Sequence, residues 1–264
     1  MRPWSSVIGV VLIVLGVLAI FHIGWIFWPL LLIGVGVWFV MGFAGGGFAR
    51  AGHGGITREQ SALPLEGATE ADITVRHGAG RLTLSGGAGS DQLLTGSFGG
   101  GLDSSRRSDG GRNTVDMRVR DRDVSRFFWG RGWAGALDWD IALNASIPLS
   151  LRLETGASES RLTLTDLNVR ELSIKTGASS TTVDLPRAAG FTRVHVESGA
   201  AAVKLRVPQG VAASIQVKSA LAGIHVDRAR FPLSAAGYAS SDYAGAANKV
   251  EIFIETGVGS VDIY

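Results

Sequence analysis

Residues 151–165 read LRLETGASESRLTLT, and residues 172–186 read LSIKTGASSTTVDLP. Each phrase places apolar residues on alternate positions, then a charge, then Thr-Gly-Ala, and then a second alternating stretch. Period-2 alternation is typical of half-buried β-strands, and a glycine in the middle of such a pattern indicates a sharp turn. The phrase therefore predicts two strands that meet at a glycine, written more than once along the chain.

The phrase recurs at a nearly fixed spacing. Its copies are ITVRHGA, LRLETGA, LSIKTGA, VHVESGA, IQVKSAL and IFIETGV, which share the position held by Gly78, Gly156, Gly177, Gly199, Ala220 and Gly257. The four middle copies are separated by 21, 22 and 21 residues. A period near 20 residues is typical of stacked supersecondary units. The sequence thus predicts an all-β domain over residues 71–264, a β-solenoid or β-helix.

Stacking in chain order predicts files of inward-facing apolar residues, because one such unit cannot bury its apolar side alone. The first file is Leu151, Leu172, Val194, Ile215 and Ile252, and the second is Leu153, Ile174, Val196, Val217 and Ile254. Most of these residues are β-branched, which suits a pleated sheet.

Charges of alternating sign precede the shared turn position by two residues. They are Glu154, Lys175, Glu197, Lys218 and Glu255. Coils stacked about 4.8 Å apart would place each charge between two opposite ones. We interpret this charge ladder as a solvated face that fixes the register of the coils, and the alternative is a stripe that binds a partner. The next position carries hydroxyls, which predicts a parallel hydroxyl ladder.

Two segments interrupt the repeats, at about residues 88–138 and 231–249. Loops on a rigid scaffold often carry function, so both are candidate contact segments. Their aromatic residues are Phe127, Phe128, Trp129, Trp133, Tyr238 and Tyr243. The aromatic cluster of the first segment either caps an open end of the solenoid or contacts the membrane interface or a partner.

The amino-terminal end has a different character. No Asp, Glu, Lys or Arg occurs from Pro3 to Ala49, and this region holds apolar stretches at 7–21 and 26–43. At 1.5 Å per residue both stretches approach the thickness of a bilayer core once their flanks are included. Residues 1–48 are therefore predicted to form a transmembrane hairpin of two helices, followed by a linker at 49–70.

Basic residues predict the orientation of this hairpin. Arg2 precedes it, Arg50 and Arg58 follow it, and the connecting turn carries no Lys or Arg. The positive-inside rule places both ends, and hence the solenoid, on the cytoplasmic side of the cell membrane. The lipid bilayer is then one partner of the chain.

Catalytic and ligand-binding patterns are absent from the sequence. It has no G-x-S-x-G, P-loop, H-E-x-x-H or EF-hand pattern, and its five histidines do not share a repeat position. It has no cysteine, and its net charge of +2 without a basic run gives no reason to expect a nucleic-acid partner. We expect no enzymatic activity, no cofactor and no metal.

Two stretches resemble known bacterial families. The run WIFWPLLLIGVGV at 25–37 resembles the LiaI/LiaF-like transmembrane region, although LiaF has four predicted spans and this chain has two. Residues 139–186, WDIALNASIPLSLRLETGASESRLTLTDLNVRELSIKTGASSTTVDLP, resemble the toast-rack, or adhesin-like, β-solenoid domain of LiaF-type proteins of the response to cell-wall-active antibiotics. Some members of this family restrain a sensor kinase of envelope stress.

The resemblance implies a non-enzymatic membrane protein that regulates the cell-envelope stress response or assists in it. Its partner would be another membrane protein, such as a sensor kinase, and the sequence leaves the oligomeric state open. The alternative is an adhesin-like or structural scaffold displayed on the cell surface. The side of the membrane that holds Tyr264 distinguishes the two hypotheses.

Overall fold

The computed structural model describes residues 58–120, 137–234 and 237–264. The predicted hairpin at 1–48 lies outside these residues. In the described part, no helix has the length and apolar character that crossing a membrane requires.

The described residues contain thirteen strands, and all of them belong to one sheet. In chain order they are β1 (Glu59–Pro64), β2 (Glu70–Gly86), β3 (Gln92–Phe98), β4 (Leu102–Asp109), β5 (Arg112–Val119), β6 (Trp139–Leu143), β7 (Leu149–Thr163), β8 (Val169–Asp184), β9 (Phe191–Arg206), β10 (Ala212–Val226), β11 (Leu233–Ser234), β12 (Gly237–Ala239) and β13 (Lys249–Ile263). This all-β architecture confirms the predicted class of the domain.

Six long strands, β2, β7, β8, β9, β10 and β13, contain the six copies of the phrase. The burial pattern of five of them changes phase at the shared turn position, and in β10 no residue after that position is fully buried. In β7, Leu151 and Leu153 point inward before Gly156, whereas Ser160 and Leu162 point inward after it. Each long strand therefore has two arms that meet at a corner, and both arms contribute to one core.

The long strands lie parallel, so equivalent side chains form files through the core. Leu151 lies beside Leu172, which lies beside Val194, and the file of Leu153, Ile174 and Val196 runs next to it. All six of these leucine, isoleucine and valine side chains are almost fully buried. The predicted stacking of inward apolar residues is confirmed for these coils.

The stacking order differs from the chain order at one place. The long strands follow the order β2-β7-β8-β9-β13-β10, so the last strand of the chain lies between β9 and β10. Ile254 consequently contacts Val196 on one side and Val217 on the other. The prediction that coils stack in chain order is wrong for these last two strands.

Connection length explains why the sequence does not reveal this exchange. The segment from β9 to β10 spans residues 207–211, and the segment from β7 to β8, which are neighbours, spans residues 164–168. Five extended residues reach about 17 Å, which exceeds two strand spacings of about 4.8 Å each. A link of five residues can therefore connect a strand to its direct neighbour in the sheet or to the strand beyond that neighbour.

The first predicted insertion contributes strands to the sheet. β5 pairs in parallel with the first arm of β2, and β6 pairs in parallel with its second arm. Together β5 and β6 form a further coil, whose two arms are separate strands. The strands of this predicted insertion therefore belong to the array, and they bury Val115, Met117 and Trp139 in the core.

The predicted linker at 49–70 also requires correction. Residues 59–64 form β1, which pairs antiparallel with β3, and β3 pairs antiparallel with β6. The segment alternates half-buried and exposed residues along a sheet edge, which is the pattern of an edge strand. In the second predicted insertion, β11 and β12 form a short hairpin, and β12 pairs with Ser214 and Ile215 of β10.

The two ends of the stack are unlike. At the first end, β5 and β6 cover both arms of β2, and β4, β3 and β1 extend this cover. We call this the capped end. At the other end, β12 covers two residues of β10, and among the described strands none pairs with residues 216–226 on the side away from β13. We call this the open end.

Candidate functional site: a groove along the corner of the coils

A shallow groove of about 1090 Å³ follows the corner of the stacked strands. Five of the six long strands contribute the same three consecutive positions to its lining: the charge, the residue after it and the turn residue. The remaining strand, β8, contributes the first two, Lys175 and Thr176. Since the strands are parallel and in register, the three positions form three parallel rows.

The charge row begins with an arginine that the chain-order prediction did not include. In space the row reads Arg76, Glu154, Lys175, Glu197, Glu255 and Lys218. Arg76 Nε lies 3.0 Å from Glu154, Lys175 Nζ lies 2.9 Å from Glu197, and Lys218 Nζ lies 3.1 Å from Glu255. The predicted residues therefore lie in one row, but their signs do not alternate throughout.

Two glutamates are neighbours where β13 enters the stack. Glu197 lies beside Glu255 in the register of β9 and β13. Hydrogen bonds from Lys175 and then from His195 lower the pKa of Glu197. Each glutamate therefore has a cation on its far side, Lys175 for Glu197 and Lys218 for Glu255, and these cations offset the repulsion between the two carboxylates.

Hydroxyl groups form the second row, as the sequence predicts. The Thr155 hydroxyl donates to Thr176 Oγ1 at 2.9 Å, and the Ser198 hydroxyl donates to Thr256 Oγ1 at 2.9 Å. In β2 this position is His77 in place of a hydroxyl residue, opposite Thr155. The row fixes neighbouring corners to each other through side chains.

Glycines hold five of the six places in the third row, with Ala220 of β10 at the sixth, and neighbouring corners approach closely there. A Cβ atom on Gly257 would lie 2.6 Å from the carbonyl oxygen of Gly199, and one on Gly177 would lie 3.1 Å from that of Gly156. A real Cβ atom does not sit 2.6 Å from a carbonyl oxygen, so Gly257 is required at its place. The recurring glycine of the sequence thus reflects contact between coils at the corner.

The predicted aromatic contact residues are only partly placed. Phe127, Phe128, Trp129 and Trp133 lie outside the described residues. Tyr238 lies in β12 and packs against the core, and Tyr243 is half-buried in the turn that follows, with Lys249 Nζ 5.6 Å from its ring centre. These two tyrosines lie away from the corner groove.

His77 is a buried residue that the sequence reasoning did not single out. Its Nε2 atom lies 2.6 Å from the carbonyl oxygen of Leu137, and its ring packs against Trp139 with 5.4 Å between centres. Burial lowers the pKa of His77 more than the carbonyl contact raises it. The sequence does distinguish His77, because the equivalent position carries Thr or Ser in every other copy of the phrase.

The groove offers contact chemistry through its paired charges and its hydroxyl groups. Its carboxylates are paired with arginine or lysine and are at least a third exposed. In residues 58–120, 137–234 and 237–264, no group of three or more His, Asp or Glu side chains is placed to hold a metal ion. Paired charges and hydroxyls on a rigid surface suit recognition of a polar partner.

These features define a β-solenoid of bent parallel strands with a polar groove at its glycine corner. The chain belongs to the family of the N-terminal domain of toast-rack proteins, whose model matches residues 53–206. A second family model, the C-terminal domain of LiaF of the cell wall-active antibiotics response, matches residues 158–263. The resemblance to toast-rack and LiaF-type domains is confirmed, and no enzymatic family is indicated.

A solved structure of a similar protein shares this fold. The chain superposes on a candidate cell adhesion protein from Clostridium sporogenes with a TM-score of 0.69 and 20% sequence identity, over 78% of this chain and 98% of that one. A candidate adhesin from Bacteroides fragilis aligns with a TM-score of 0.31 and 7% identity, over 79% and 97% of the two chains. No curated protein sequence matches this chain.

Proposed function

We propose that this chain is a non-enzymatic protein of the bacterial cell envelope that takes part in the response to cell-wall-active antibiotics. Its groove at the corner would bind another membrane protein, with a sensor kinase as the expected class of partner. The observation that carries the proposal is the LiaF-like match over residues 158–263, since these residues supply most of the rows that line the groove.

The charges of the groove fit such a contact. Six charged residues lie in one row on a rigid scaffold, and each of them is solvent-accessible. Exposed ion pairs contribute little to the stability of a fold, so the row is free to serve recognition and register. The predicted hairpin at 1–48 would anchor the chain in the membrane, with the solenoid on the cytoplasmic side.

A charge-reversal variant tests the proposal in the native bacterium. Lys175→Glu places a third carboxylate between Glu154 and Glu197, and it should change the transcriptional response to a cell-wall-active antibiotic in the same direction and to the same extent as deletion of the gene. The matched control is Arg161→Glu, which alters an exposed position on the second arm of β7, away from the groove. Equal responses from the two variants, at equal protein levels, would refute a role for the groove.

The second candidate function is a surface-displayed adhesin or scaffold. It is supported by the fold shared with the candidate cell adhesion protein from Clostridium sporogenes. A reporter enzyme fused after Tyr264 separates the two functions. Activity confined to a cytoplasmic reporter supports the stress-response function, and activity of an exported reporter supports the adhesin.

A further inference from the structure

The open end exposes backbone and core that the rest of the stack covers. Ser240 N donates to Ala213 O at 2.8 Å, so the inward residues of the first arm of β10 direct their backbone groups away from β13. Asp227 N donates to Ile263 O at 2.9 Å, so by alternation Ile224 and Val226 also direct theirs away from β13. Beyond the two residues that β12 covers, this edge is unpaired among the described strands.

Apolar side chains accompany the unpaired backbone. Val217 and Val226 are half-buried, and Ile224 is 36% exposed, although the equivalent residues Val196, Leu205 and Val203 of β9 are fully buried. At the corner, Leu221 is 77% exposed and Val258 is 53% exposed. An unpaired edge with exposed core residues is a template for adding another strand.

We propose that the open end pairs with the open end of a second copy of this chain, through antiparallel contact of the two β10 strands. The corner of β10 decides this choice of partner. A straight peptide strand would follow one arm and leave the other, whereas a copy rotated by a two-fold axis through the corner presents the same bend with its arms exchanged.

The register of β10 matches itself about this axis. With the axis between Ala220 and Leu221, Val217 of one copy lies opposite Ile224 of the other. The side chains of both residues point inward, and their backbone N–H and C=O groups point away from β13. The two residues can therefore form a hydrogen-bonded pair of an antiparallel ladder. Core meets core across the junction, as an isologous interface requires.

The polar positions in this register are also compatible. Lys218 lies opposite Gly223 of the other copy, and Gln216 lies opposite His225. No two like charges face each other across the junction, where they would destabilise it. The two corner grooves then meet end to end, so the dimer presents one continuous groove to a partner.

Introduced cysteines test the geometry in the full-length protein in membranes, since the chain has no cysteine of its own. In the proposed dimer the two Leu221 residues lie about 6 Å apart, within reach of a disulfide. Val258 is the matched control, since it is similarly exposed but one strand further in, and three strand spacings of about 4.8 Å separate its two copies.

Mild oxidation should convert most of the Leu221→Cys protein into a covalent dimer and give at least tenfold less dimer from Val258→Cys. Equal yields would indicate random collision and overturn the proposal. A monomeric Leu221→Cys protein would also overturn it, and its reaction with a maleimide would then tell whether the edge is free or covered by another segment or protein.

A second pair of variants tests the contact itself. Ile224→Lys adds an inward-pointing charge at the edge and should lower the Leu221→Cys dimer yield at least fivefold. Leu233→Lys, at an exposed position of β11, should leave the yield unchanged. If Ile224→Lys is poorly folded by circular dichroism, Ala222→Pro replaces it, because it removes a donor on the open side alone. Unchanged dimer yield in a folded edge variant would overturn the proposal.

Discussion

The capped and open ends of this solenoid differ in how the outermost long strand is covered. At the capped end, Phe98 and Trp139 are almost fully buried, their rings meet edge to face at 5.0 Å, and Trp139 Nε1 donates to Gly99 O at 2.9 Å. At the open end, Ile224 and Leu221 remain in contact with solvent. In a stack of coils, the inward side chains of each coil are buried by the coils on either side. A terminal coil lacks one of these neighbours, so each end needs a separate cover.

This difference shows which end of the stack has a completed hydrophobic core and which end leaves core residues exposed. The capped end uses five short strands and a buried tryptophan to finish the core, all within the chain. The open end has a two-stranded hairpin that covers two residues. The capped end is thus completed by strands of the chain itself, whereas at the open end no described strand pairs with β10 beyond Ser214 and Ile215 on the side away from β13.

The largest expected effect is the loss of the tryptophan at the capped end. Trp139→Ala should lower the free energy of unfolding by about 3–5 kcal/mol, because it removes a fully buried side chain and its hydrogen bond. Ile224→Ala at the open end should lower it by about 1 kcal/mol or less, since its side chain is partly solvated. Urea unfolding of the full chain in mild detergent, followed by circular dichroism, measures both. Equal losses would contradict the distinction between the ends.

The glycine corner should respond differently along the stack. Gly257→Ala introduces a methyl group 2.6 Å from Gly199 O, and the shift that relieves it should cost about 1–3 kcal/mol. Gly78→Ala at the first corner meets no atom within 4 Å and should change stability by less than about 0.5 kcal/mol. The difference in urea midpoint between the two variants is the measurement, and a neutral Gly257→Ala would contradict the close stacking of β9 and β13.

The capped end should also be the acid-sensitive one. Burial lowers the pKa of His77 below its unfolded value of 6.5, so the unfolded chain binds the proton more tightly than the folded chain. Stability contributed by neutral His77 is therefore present above pH 6.5 and is lost as the pH falls toward the lowered pKa.

His77→Thr places the residue of the other coils at this position and removes the proton-binding site. The urea midpoint of the wild-type chain should fall between pH 7.5 and pH 5.5 by more than that of His77→Thr. Parallel pH profiles would show that His77 does not carry the acid sensitivity.

The smallest expected effect distinguishes the strand order at the open end. A double-mutant cycle between Lys218 and Glu255 should give a coupling of about 0.2–1 kcal/mol, as for exposed pairs, because their charged atoms are 3.1 Å apart. The cycle between Lys218 and Glu197 should give a coupling near zero, since β13 separates them. Chain-order stacking requires both couplings to be similar, so that result would contradict the position of β13.

Much of the fold follows from local pattern. The alternation of Leu151 and Leu153, the glycine at position 156 and the 21-residue period predict a bent strand, its inward face and its parallel neighbours. These features depend on residues close in sequence and on the pleat of a strand, which fixes the face of every second side chain. The row of charges along the corner is predictable for the same reason.

The strands of the first interruption were harder to predict. Val115 and Met117 of β5 alternate with polar residues, which indicates a strand, yet β5 and β6 lack the glycine phrase that joins the two arms of the other coils. β6 holds five residues, a length compatible with several elements. A coil split into two separate strands does not show the period that identifies the others.

The sequence by itself determined the inward face, the corner and the rows of this solenoid, because each depends on the side-chain alternation and the turn chemistry of one short phrase. Tertiary structure alone decided which coil lies beside which. Links of five residues reach either slot, and apolar files accept Val196 next to Ile254 as readily as next to Val217. The choice between them is made by the whole stack, which places Glu197 beside Glu255 and leaves β10 as its last long strand.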